Sequence, residues 1–137
     1  MQDDVCETIA LRAQHDITRV RRALTNLLTQ AAAKPTEMTK FVTAASELAR
    51  NTLLHGGGGT ATIELKREGK GFRISTTFED AGPGIADVEA ALRSGFTTGN
   101  GLGLGLGGAK RLCEVFELVS SAESGTRVRI SSSIGRR

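Results

Sequence analysis

Apolar positions along this chain change period several times, and the changes mark its elements. Val5–Leu11 has short β-favouring character; then Ile17, Val20, Leu24, Leu27, Leu28 and Ala31 recur on one helical face until Lys34-Pro35 interrupts them. A strand followed by a helix is expected. Thr36 and Glu37 open a second helical stretch, in which Phe41, Ala44, Ala45, Leu48, Thr52 and Leu53 share a stripe that stops at His55 and the consecutive glycines 56–59. Residues 60–66 and 72–78 alternate as strands (Ile63, Leu65; Phe72, Ile74), joined through the four-residue connection 68–71, which favours antiparallel pairing. From Asp80 to Gly101 glycine is frequent and only 88–92 reads as a helical turn, so this is a loop of the kind that carries function. Residues 106–116 read as a helix, and 118–120 and 126–134 as closing strands across Glu123-Ser124-Gly125.

Helices and strands segregate instead of alternating strictly. The expected fold is therefore α+β, a two-layer sandwich with helices on one face of a mostly antiparallel, mixed sheet and a pocket between the layers. At 137 residues the chain suits a single domain, 1–137, that buries roughly two-thirds of its unfolded surface without disulfides or structural metal.

Composition removes several function classes. Trp and Tyr are absent and there are five Phe, too few rings to stack a single-stranded nucleic acid. The net charge is +3, and the clusters Arg19, Arg21, Arg22 and Arg136, Arg137 are sparser than a nucleic-acid footprint. They read as solvated faces, with an acidic protein partner as the alternative. Cys6 and Cys113 form no CxxC, and His15 and His55 do not fall at zinc-ligand spacing relative to them, so metal held by side chains alone is not expected. No run of 18 apolar residues occurs and the acidic start is not that of a signal peptide. No membrane insertion is expected, and the expected compartment is the cytoplasm, with reduced thiols.

Three motifs in fixed order carry the chemistry. Glu47 and Asn51 lie one helical turn apart and can face one ligand; alone, such a pair is usually solvated. A carboxylate there can take a proton from an attacking hydroxyl, and the Asn carbonyl oxygen suits a Mg²⁺ ion held mostly by phosphates and water. Asp80-Ala81-Gly82-Pro83-Gly84 follows an apolar strand. It has the ingredients of an ordinary strand-ending turn, but its doubled glycines also let a flat base lie against the backbone while Asp80 accepts an exocyclic amine. The third motif is the ladder Gly101-Leu-Gly103-Leu-Gly105-Leu-Gly107-Gly108, which runs into a helix start where free N–H groups favour phosphate. Its match to the dinucleotide fingerprint is formal, since residues 95–100 are polar and no strand precedes it. Lys110 and Arg111 follow Ala109, which excludes a P-loop. No G-x-S-x-G is present, so a serine hydrolase is unsupported, and His55 reads as the end of a helix.

Taken in order, these boxes resemble the N, G1 and G2 boxes of the GHKL (Bergerat-fold) ATPases. Ser46-Glu-Leu-Ala-Arg-Asn51, Glu79-Asp-Ala-Gly-Pro-Gly-Ile85, Gly95-Phe-Thr-Thr98, Gly101 to Leu106, Lys110-Arg-Leu112 and Ser124-Gly-Thr126 are similar to the RsbT type of small serine/threonine protein kinase. The resemblance implies a Bergerat ATP-binding fold that uses ATP and Mg²⁺. It implies Glu47 as general base, Asn51 as the Mg²⁺ ligand, and Asp80 as reader of the adenine amine with Gly82, Gly84 and Thr126 nearby. Gly101, Gly103 and Gly105 would line the phosphates. The implied function is phosphorylation of Ser or Thr in a STAS-domain scaffold or antagonist protein, followed by activation of a partner phosphatase through binding. An anti-sigma kinase that binds a sigma factor and a non-catalytic, ATP-gated interaction module are the alternatives. The chain departs from the pattern at Gly107, where relatives often carry proline, and at His55 with its glycines.

Overall fold

A computed structural model describes residues 4–84 and 106–135. Strand β1 (Val5–Leu11) leads into helix α1 (Gln14–Gln30) and helix α2 (Pro35–Leu54). The hairpin β2 (Gly59–Glu68) and β3 (Gly71–Asp80) follows, then helix α3 (Leu106–Leu112), β4 (Val115–Ser121) and β5 (Gly125–Ile134).

Local chemistry fixes the helix starts. The Asp16 carboxylate, in the first turn of α1, accepts the N–H groups of Arg12 at 2.9 Å and Ala13 at 3.0 Å, satisfying donors that no helical carbonyl can reach. Those two bonds, followed by the Arg19 guanidinium, pull the Asp16 pKa from 3.8 down to about 2. At α2, Pro35 occupies the first turn, where its missing N–H costs nothing, and Glu37 accepts the Lys34 N–H at 2.8 Å. α1 ends with Ala32 in the left-handed region at φ 59°, where the Ala33 N–H reaches back to Leu28 O at 2.9 Å.

The five strands run β1-β2-β3-β5-β4, and every pairing among the described residues is antiparallel. The parallel component expected of a mixed sheet is therefore absent among them. Both long helices cover one face. Val20, Leu24 and Leu28 of α1 and Phe41, Ala45 and Leu48 of α2 pack on Leu11, Ile63, Ile74, Phe78 and Ile130, all essentially inaccessible to water. The β2–β3 ladder continues to Glu68↔Gly71, so the turn has two central residues where the sequence predicted a four-residue connection. Gly69 takes φ 59° at the first of them, the conformation that lets a two-residue hairpin follow the strand twist.

The helix expected over 106–116 stops at Leu112. The Glu114 N–H is held by Ser132 Oγ at 3.2 Å and its Oε1 accepts the Ser133 N–H at 2.9 Å, which turns the chain into β4. Val115 and Phe116 then pair with Ser131 and Ile130. The predicted turn at 88–92 lies outside the described residues. Arg19, Arg21 and Arg22 form an exposed stripe on α1, with Arg19 Nη1 3.1 Å from Asp16 Oδ1. Among the described residues no helix is long and apolar enough to cross a membrane.

Candidate nucleotide site

The C-terminal half of α2, the end of β3 and the start of β5 converge on one pocket. It is lined by Leu48, Asn51, Thr52, His55, Phe78, Asp80, Leu106, Thr126 and Val128. Phe78 and Val128 face each other in the β3–β5 ladder, so the floor is apolar and Asp80, two residues after Phe78, marks its polar edge. Apolar walls around a few convergent polar groups are what a heterocyclic base requires.

Asp80 is oriented by backbone. Its Oδ1 accepts the Gly82 N–H at 2.9 Å and the Thr126 N–H at 3.3 Å, while Oδ2 has no hydrogen-bond partner among the described residues. One carboxylate oxygen is thereby fixed and the other remains able to accept a ligand's N–H. Close backbone packing builds the surround. A β-carbon on Gly56 would lie 2.3 Å from the Asp80 carboxyl carbon, and one on Gly125 would lie 2.1 Å from the Asp80 carbonyl oxygen. Thr126 Oγ1 is 2.9 Å from Ser120 Oγ, tying the start of β5 to β4.

The predicted residues divide into three groups. Asn51, Asp80 and Thr126 meet in the pocket, and Gly82 and Gly84 belong to the turn beside it. Glu47 lies one turn before Asn51 but does not line the pocket, and its Oε1 is 3.0 Å from Arg50 Nη1, an exposed pair at i, i+3. Gly101, Gly103 and Gly105 fall outside the described residues. His55 and Gly56 went unrecognised in the sequence. The run of glycines at 56–59 reads as a helix end, whereas Gly56 forms a wall of the Asp80 site and His55 Nε2 lies 3.3 Å from Gly84 O.

A family model for histidine kinase-, DNA gyrase B- and HSP90-like ATPases matches residues 15–134, a span that includes α2, all but the first residue of α1 and the whole pocket. The chain belongs to that ATPase family. It is 38% identical over 130 residues to serine/threonine-protein kinase RsbT of Bacillus subtilis, covering 93% of this chain and 95% of that one. Within the family the chain is therefore an RsbT-type serine/threonine-protein kinase. It is also 33% identical over 94 residues to the anti-sigma F factor of Lysinibacillus sphaericus, covering 66% of this chain and 62% of the relative. The fold matches a crystal structure of the RsbU and RsbW domains of a Mycobacterium tuberculosis protein, with a TM-score of 0.65 at 18% identity, over 99% of this chain and 34% of that one. It also matches the SiaB-SiaC complex of Pseudomonas aeruginosa, with a TM-score of 0.52 at 16% identity, over 95% and 89% of the two chains. ATP is the nucleotide of this family.

Proposed function

We propose that the whole 137-residue chain is one kinase domain that transfers the γ-phosphoryl group of ATP to Ser or Thr of a STAS-domain protein in the cytoplasm. The observation that carries this reading is the meeting of Asp80 and Asn51 in one apolar-floored pocket. Asp80, with Oδ1 held by Gly82 and Thr126, offers Oδ2 to the adenine amine. Asn51 gives an uncharged oxygen to Mg²⁺, and the ion neutralises phosphate charge when bound. Gly101, Gly103 and Gly105 are assigned to the phosphates on the motif alone.

Glu47 takes the proton from the attacking hydroxyl. It is partly exposed one helical turn before Asn51, and in this reading it exchanges its contact with Arg50 for one with that hydroxyl. Such a transfer depends mainly on positioning and charge stabilisation. After release from its substrate the kinase binds and activates a downstream phosphatase. The similarity to an anti-sigma F factor supports a second reading, in which the partner is a sigma factor.

Incubation with Mg²⁺-ATP beside STAS-domain proteins of the same genome, followed by mass spectrometry, tests the substrate. Phosphoserine or phosphothreonine on one STAS protein supports the first reading. Co-purification with a sigma factor and no modified STAS protein supports the second.

A further inference from the structure

His55 closes α2 one turn after Asn51, and its N–H donates to Asn51 O at 2.9 Å. Its ring turns back toward the pocket that Asn51, Asp80 and Thr126 line, bringing Nε2 3.3 Å from the carbonyl oxygen of Gly84. A carbonyl only accepts, so Nε2 carries the hydrogen in this contact. The bond spans 29 positions of sequence and joins two parts of the site. One is the helix end that bears Asn51. The other is the 80–84 turn, whose Gly82 N–H fixes Asp80 Oδ1.

Close backbone packing also joins these parts. Gly82 packs on Gly56, where a β-carbon on Gly82 would come within 2.7 Å of Gly56 O. Two glycines in contact carry no side chain that could resist sliding. The imidazole adds a directional side-chain bond across this contact.

We propose that His55 is a positioning residue of the nucleotide pocket. It holds the 80–84 turn against the end of α2, so that Asp80 and Asn51 keep the spacing at which both can engage one nucleotide. The inference rests on the nucleotide reading above and deepens it, because it names what sets the distance between the base-reading and phosphate-side groups. A His55 that merely ended a helix would affect stability and leave the affinity of the folded protein unchanged.

Calorimetric titration with ATP of wild type, His55→Gln, His55→Phe, His55→Ala and Asp80→Ala tests it, with thermal melts of each. Glutamine keeps an N–H able to reach Gly84, and phenylalanine keeps the ring volume without a donor. His55→Ala and His55→Phe are expected to weaken ATP binding by about three- to tenfold, the range of one lost hydrogen bond, and His55→Gln to recover most of it. Should the alanine variant not fold, the glutamine and phenylalanine variants decide the matter. Wild-type affinity in folded His55→Phe, alongside lost binding in Asp80→Ala, overturns the role of His55 and leaves the pocket assignment standing. Absence of ATP binding by wild type overturns both.

Discussion

A β-carbon on Gly56 would lie 2.3 Å from the carboxyl carbon of Asp80. Gly56 precedes the β2–β3 hairpin and Asp80 ends it, and their contact brings the helix end that bears Asn51 to the Asp80 carboxylate. Because the neighbour is the functional group itself, Gly56→Ala must displace Asp80 or the helix end. Overpacking of this kind costs about 1–3 kcal/mol of stability. Urea unfolding is expected to show that loss, and titration a deeper loss of ATP affinity than that of a substitution at Gly108, where a β-carbon meets open space.

Asp80→Asn separates orientation from recognition. The amide oxygen can still accept the Gly82 and Thr126 N–H groups, while the amide nitrogen replaces the accepting Oδ2 with a donor. ATP binding is expected to weaken by about ten- to a hundredfold with little change in melting temperature, since a site built to pair a polar group rejects a mismatched one. Titration and a melt on the same preparation check both halves.

Acid stability should report Asp16. Its pKa is about 2 in the folded protein against 3.8 ordinarily, so its stabilising contribution is present above the ordinary carboxylate range and is lost as pH falls toward and through about 2. Melting temperatures of wild type and Asp16→Asn are expected to differ at pH 6 and to converge as the pH is lowered through that window.

The end of α1 stores backbone strain at Ala32, whose φ of 59° is a conformation glycine adopts without steric cost. Ala32→Gly is expected to stabilise the protein by about 0.5–1 kcal/mol, the helix-end gain outweighing the added freedom of the unfolded chain. Chemical denaturation measures it directly.

The long elements were legible because each keeps one period. Ile17, Val20, Leu24 and Leu27, spaced by three and four, can share a face only on a helix, and Ile63 and Leu65 only on a strand. Helix α3 was overextended because Val115 and Phe116 are apolar in a window too short to distinguish the periods, and long-range bonds from Glu114 to Ser132 and Ser133 decide the matter. Asn51 and Asp80 stood out through motif order and Thr126 through the family resemblance, and the fold brings the three to one pocket. His55 and Gly56 were not, because their partners Gly84 and Asp80 are distant in sequence and a glycine run after a helix already has a sufficient local explanation. The Arg50 contact of Glu47 lies at ordinary helical spacing, which by itself carries no sign of function.

Phosphoryl transfer by Glu47→Ala tests the account most directly. Wild type and variant are incubated with Mg²⁺ and γ-labelled ATP beside the STAS-domain proteins proposed as substrates, and ATP affinity is measured on the same samples. The expected result is transfer reduced by about a hundredfold or more, the scale of general-base catalysis, with ATP affinity unchanged because Glu47 does not line the pocket. Equal transfer by the variant would contradict Glu47 as the base, and absence of transfer by wild type that binds ATP would contradict the kinase reading itself.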